Sequence, residues 1–204
     1  MGGLMLLVWA LGLGPMAHAN DTESVRLTKP ALIQGPDGAW TMEAEVQVTL
    51  NSVLIDALRR GVPLVFVAEF DMFKKRWYWF DEKLFGQVRQ VRLAYHAITQ
   101  QYRITQGEQV QAYPTLDEAL SAAMDLRQWA IGPGQADMSL TDRLHEIKKT
   151  PDAYELRLRI RLDSGQLPKP LQVNALTNRD WNLSSDWVRP RLVMAPAPIP
   201  GPGQ

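Results

Sequence analysis

Apolar and polar residues alternate with a period of two along much of the chain, the pattern of strands with one buried and one wet face. It is clearest from Tyr154 to Leu162. There Tyr154, Leu156, Leu158, Ile160 and Leu162 form one face, and Glu155, Arg157, Arg159 and Arg161 form the other. From Thr41 to Leu50, Met42, Ala44, Val46, Val48 and Leu50 alternate in the same way with Thr41, Glu43, Glu45, Gln47 and Thr49. Leu64 to Phe70 is apolar on both faces for most of its length, which predicts a central strand covered by a helix or a second sheet. Further strands are expected at Val25 to Ile33, Val88 to Ile98, Gln101 to Thr105, Val110 to Tyr113, Trp129 to Ile131 and Trp187 to Met194. Pro30 and Pro190 push their strands toward a sheet edge, because proline donates no ladder hydrogen bond.

Two segments change to a helical period. Asn51 and Ser52 can cap a short helix whose Val53, Leu54, Ala57 and Leu58 share a face, stopped by Gly61 and Pro63. Thr115 and Glu118 form a T-x-x-E capping box ahead of Leu116, Ala119, Leu120, Ala123 and Met124. Gly132 to Asp137 is expected as a flexible connection, and Met138 to Lys149 offers a weaker one-sided pattern in Leu140, Leu144 and Ile147. Many strands joined by short turns, with two short helices packed on the sheet, predict an α+β fold, mainly antiparallel and sandwich-like.

The ends of the chain carry different patterns. Leu4 to Leu13 is an uncharged apolar run followed by Ala17-His18-Ala19, which predicts a signal peptide over residues 1–19 cleaved after Ala19. The run is too short for a permanent transmembrane anchor. No Lys or Arg precedes it, so the reading frame is expected to begin further upstream with a basic stretch. Residues 20–194 are then one exported β-rich domain. Residues 195–204 (APAPIPGPGQ) lack both apolar bulk and backbone donors, and are expected as a disordered Pro/Gly-rich tail. The absence of cysteine excludes disulfides, thiolate metal sites and a lipid-modified cysteine. Export without disulfides points to the periplasm. Lys plus Arg and Asp plus Glu are equal at 22 each, so no global basic field draws the chain to nucleic acid.

Several longer motifs resemble a known family. Arg76-Trp77-Tyr78-Trp79-Phe80-Asp81-Glu82-Lys83 is one, and the stretch from Leu167 through Leu176 to Asp180-Trp181-Asn182-Leu183-Ser184-Ser185-Asp186-Trp187 is another. Arg60 to Leu64 and Pro114 to Leu120 add to them. Together they resemble the domain-of-unknown-function 4390 family of exported proteobacterial proteins, across nearly all of the chain after its leader. The resemblance implies export, one domain and a gene neighbourhood containing a membrane sensor histidine kinase of the nitrogen-regulation type. It supplies no activity.

Chemistry-bearing motifs are sparse. His145-Glu146 opens like H-E-x-x-H, but Lys149 stands where the second zinc ligand would be. His96 falls out of phase with Val91, Leu93 and Tyr95 and is expected at a rim. No nucleophile elbow, S-x-x-K pair, calcium loop or phosphate loop occurs, so neither a cofactor nor a metal is expected. Paired carboxylates are the remaining catalytic option: Asp71 with Asp81 or Glu82, or Asp180 with Asp186. Salt bridges from Asp81 and Glu82 to Lys74, Lys75, Arg76 or Lys83 rank ahead of it.

Trp77, Tyr78, Trp79 and Phe80 are consecutive, so on a strand they point to opposite faces and cannot all enter one core. Intramolecular packing, with Trp181 and Trp187 covering the Trp77 region, ranks ahead of a ligand, a protein partner or the membrane headgroup layer. Arg157, Arg159 and Arg161 share a face, as do Arg189 and Arg191; cross-strand pairing with Glu43, Glu45 or Glu155 ranks ahead of a free basic stripe. The resulting expectation is a non-enzymatic periplasmic binding or adaptor protein. Its partner is an envelope or inner-membrane protein, with membrane-surface contact as a further option. The binding candidates are Trp77, Tyr78, Trp79, Asp81, Trp181, Asp186, Trp187, Arg157, Arg159 and Arg161. The alternative is an envelope polymer hydrolase using Asp81, Glu82, Asp180 and Asp186. A third option, a lipid-like ligand inside the sandwich, requires a sizeable apolar cavity.

Overall fold

The computed structural model describes residues 24–78, 80–127, 129–132 and 138–194. In chain order its first elements are β1 (Ser24–Gln34), β2 (Trp40–Thr49), α1 (Ser52–Arg59), β3 (Leu64–Lys74), β4 (Glu82–His96), β5 (Gln101–Gln106) and β6 (Gln109–Tyr113). They are followed by α2 (Leu116–Ala123), β7 (Trp129–Ile131), α3 (Met138–Lys149), β8 (Tyr154–Leu162), α4 (Lys169–Thr177) and β9 (Arg191–Val193). The strands form two sheets, one ordered β7-β2-β1-β9 and the other β6-β5-β4-β3-β8. Among the strand pairings only that of β1 with β9 is parallel. The architecture is therefore α+β, mostly antiparallel and sandwich-like, as the alternating pattern predicts.

The inner faces meet in one hydrophobic cluster. Leu32, Trp40 and Met42 come from the smaller sheet, and Phe66, Phe70, Met72, Leu158 and Ile160 from the larger. Gln87 ties the two sheets at their flank: its Nε2 donates to the Ala130 carbonyl and its Oε1 accepts from Gly132 N–H, both at 2.8 Å. Both capped helices form as expected. Asn51 Oδ1 accepts from Leu54 N–H at 2.8 Å to start α1, and Thr115 Oγ1 accepts from Glu118 N–H at 3.3 Å to start α2. Gly61 ends the first of these with φ of +88°, a conformation that favours glycine.

Four helices are present among the described residues, where two were expected with a third weakly signalled. In α3, Leu140, Leu144 and Ile147 are all buried, so the weak one-sided pattern is a true helix face. The helix α4 escaped because its apolar residues do not gather on one side and it starts between Pro168 and Pro170. Proline is tolerated in a first turn because the N–H it lacks would be unpaired there. Pro30 is also corrected. β1 lies inside its sheet, and the proline falls where the register shifts between Thr28 and Ala31, so a bulge absorbs the missing donor.

The strand expected at Trp187 to Met194 is shorter than predicted, and the residues leading into it, 183–188, run as a tape along the free edge of β8. Leu158 N–H donates to the Val188 carbonyl at 2.8 Å, Ser185 N–H to Ile160 at 2.8 Å, and Leu162 N–H to Leu183 at 2.7 Å. Only Arg191–Val193 then forms a strand, on the other sheet.

The long β3–β4 hairpin positions the candidate surface. Its ladder runs from Leu64 opposite Leu93 to Lys74 opposite Glu82. β8 pairs alongside, with Tyr154 opposite Lys74 and Leu162 opposite Phe66. The hairpin loop thus projects from the Tyr154 end of the sheet, rooted by Lys75 N–H donating to the Ala153 carbonyl at 2.8 Å. The expected leader and tail lie outside the described residues, as does all but the first residue of the 132–137 connection. Among the described residues no helix is long and apolar enough to cross a membrane.

Candidate functional site

The loop of residues 75–81 carries Trp77, Tyr78 and Phe80 into solvent. Trp77 is 93% exposed, Phe80 85% and Tyr78 67%. Trp77 and Tyr78 meet edge to face, with ring centroids 5.0 Å apart. Trp79 lies outside the described residues. The expectation that these rings pack inside the protein is thereby corrected. The loop lies beyond the last ladder pair of the hairpin, Lys74 with Glu82.

The proposed cover is elsewhere. Trp181 is buried near the other end of β8, where it lines a cleft of about 270 Å³ together with Leu162. The Asp180 carbonyl next to it accepts from Asn51 Nδ2 at 2.8 Å, so the cap of α1 also fastens this turn. The length of β8, roughly 26 Å at the usual strand rise, separates the two regions. Trp187 lies on the tape beside β8, half in solvent, with the Arg159 guanidinium stacked 4.3 Å from its ring centre.

The arginine stripe of β8 is neutralised in place. Arg159 and Arg161 share Glu69 of β3: Arg159 Nε donates to Oε2 at 3.1 Å and Arg161 Nε to Oε1 at 2.8 Å. Arg161 also reaches Asp163 at 3.3 Å. Arg157 grips Glu155 through two hydrogen bonds of 2.8 and 2.9 Å, lies 3.6 Å from Asp81 and stacks over Phe73. Burial alone would raise the Glu69 carboxyl, but the hydrogen bonds from Arg159 and Arg161 outweigh it and hold the group below the ordinary glutamate range. The Glu155 carboxyl is likewise lowered, chiefly by its bond to Arg157.

Of the expected cross-strand partners, Glu155 does pair, but with Arg157 two residues along its own strand, and Glu45 bonds Lys29 instead. Glu69 was missed. The signal for it was its place in β3, where it interrupts an apolar run and must face the strand that carries the opposite charge. Arg189 is not part of a stripe either, since its Nη2 donates to the carbonyls of Pro151 and Tyr154 at 2.9 and 3.1 Å.

The candidate acids have local partners. Asp71 binds Lys83 Nζ at 2.6 Å, Glu82 binds Arg76, and Asp180 accepts from Asn178 Nδ2 at 3.0 Å. Asp186 is exposed. The cleft at Trp181 has no carboxylate in its lining, and two others, of about 190 and 600 Å³, have one each, Asp117 and Glu108. A cavity under α2, lined by Phe66, Val91 and Ile160, has room for about one water and none for an acyl chain. His96 shares a hydrogen bond of 3.0 Å with Thr99 Oγ1, and His145 is exposed on α3.

Comparison with known families finds one match, the domain of unknown function DUF4390, over residues 23–190. The chain belongs to that family. The matched region contains the hairpin loop, the β8 network and the tape with Trp181 and Trp187. No curated protein and no solved structure matches the chain.

Proposed function

We propose that this protein is an exported, periplasmic binding or adaptor protein, with no catalytic role, that docks on the cell envelope through its β3–β4 loop. The observation that carries this reading is the exposure of Trp77, Tyr78 and Phe80 together on one projecting loop. Soluble proteins seldom leave large rings uncovered side by side unless something else covers them. The apolar leader pattern at Leu4 to Leu13 supports export. An inner-membrane protein such as a sensor histidine kinase is the expected partner, and the charged β8 face with Trp187 is the surface that would meet it. Asp71, Asp81 and Glu82 are each engaged by a neighbouring cation and none of them lines the clefts at Trp181, Asp117 or Glu108, which favours binding over hydrolysis.

Cross-linking in intact envelope preparations tests the reading. Wild-type protein should capture a specific component, and Trp77→Ala should lose it while remaining folded. Equal capture by both proteins, or none by either, contradicts it. Turnover of an envelope polymer abolished by Asp81→Asn would instead establish the hydrolase.

A further inference from the structure

We infer that the β3–β4 loop is a membrane-surface anchor that seats its rings among the headgroups of an anionic bilayer. The inference rests on the reading that this loop is the docking element, and it names what the loop docks on. Three observations carry it. The rings stand in the loop at the end of the β3–β4 hairpin and are largely in solvent, where they can enter a soft layer without a fitted pocket. Tryptophan and tyrosine are the side chains that concentrate at the boundary between headgroups and acyl chains, since each joins an apolar ring to a polar N–H or O–H.

The third observation is charge. Residues 74–83 carry Lys74, Lys75, Arg76 and Lys83 against Asp81 and Glu82. Glu82 is taken up by Arg76, Asp81 faces Arg157 and Lys83 is held by Asp71, which leaves Lys74 and Lys75 as the surplus cations of this stretch. The root of the loop bonds Ala153, four residues beyond the end of α3, where Lys148 and Lys149 are also exposed. Glu146 and Asp152 are the exposed acids beside them. The collar around the rings is therefore cationic in surplus although the whole chain is neutral. Protein interfaces are depleted in lysine, whereas lysine stems lie along a bilayer surface with their ammonium groups at the phosphates.

Sedimentation of the purified protein tests this, using vesicles of phosphatidylcholine alone and vesicles with about a quarter phosphatidylglycerol. Binding is expected to the anionic vesicles, weakening as salt is raised. Trp77→Ala should weaken it by about tenfold. Replacing Lys74 and Lys75 together by Glu should remove the preference for anionic lipid. Ile98→Ser is the control, because Ile98 is 90% exposed at the opposite end of β4 and should not matter. Near-ultraviolet circular dichroism confirms that each variant is folded.

Absence of vesicle binding, equal binding to neutral vesicles, or indifference to Trp77→Ala overturns the inference. If vesicles fail but envelope cross-linking still depends on Trp77, the loop docks on a protein. The lipid inference then falls and the docking reading stands. If neither depends on Trp77, both fall.

Discussion

Trp77 and Trp181 sit near opposite ends of β8, in segments that both mix aromatic residues with aspartate and basic side chains, and their surroundings differ completely. The segment around Trp181 is fastened at many points: Asn51 holds its backbone, and the residues after it are hydrogen-bonded along the edge of β8. Its ring is buried as a consequence. The loop around Trp77 is fastened at its root, lies beyond the last pair of the β3–β4 ladder and leaves its ring in solvent. Similar compositions therefore serve packing in one place and presentation in the other. What decides between them is whether the backbone is tied to a neighbouring element, which residue types alone do not reveal.

The comparison breaks if the two tryptophans respond alike to truncation. Trp181→Ala should destabilise the protein by about 3–5 kcal/mol, read from urea unfolding, because it empties a packed site. A cost below about 1 kcal/mol would mean that this ring is not part of the core. Glu69→Gln sharpens the comparison at the charged face between them. It leaves Arg159 and Arg161 side by side, and the expected loss is about 1–2 kcal/mol, moderated by partial exposure of both guanidinium groups.

The pH dependence of that variant has a defined sign. The Glu69 carboxyl ionises more readily in the folded protein than in the unfolded chain, so its contribution is complete above the ordinary value of about 4.5 and is lost as pH falls through the lower folded value. Unfolding midpoints measured across acidic pH should fall less steeply for Glu69→Gln than for wild type. Parallel curves would show that the carboxylate is not held by the arginines.

Asn51→Ala should cost about 1–2 kcal/mol, as it removes both the cap of α1 and the bond to the Asp180 carbonyl. Protection of the backbone amides of α1 and residues 179–183 from hydrogen exchange should fall together. Loosening of α1 alone would show that Asn51 does not hold the Trp181 turn. Trp77→Ala has the smallest expected effect on stability, under about 0.5 kcal/mol in the same urea experiment. A larger loss would mean that the loop packs on the protein after all.

The elements most legible in advance were those whose pattern is local. β8 is bounded by Tyr154 and Leu162 as the alternation predicts, and the caps at Asn51 and Thr115 form the expected bonds. The helix α4 was hidden because no periodic face marks it, and the interior position of β1 because a bulge excuses Pro30. At the candidate site, the unusual aromatic run and the arginine stripe were both visible. Their fates were not, because each depends on a residue far along the chain: Glu69 for the stripe, and the Asn51 and β8 bonds that keep the 179–188 segment away from the hairpin loop. Such contacts are properties of topology, and the strand order that creates them joins β3 to β8 across four other strands and the helices α2 and α3 in sequence.

Hydroxyl-radical footprinting of the folded protein, with and without envelope membranes, tests the central claim most directly. Trp77, Tyr78 and Phe80 should be heavily modified in the free protein and protected when membranes are added, while Ile98 remains modified throughout. Unchanged modification of the three rings in the presence of membranes would contradict the account.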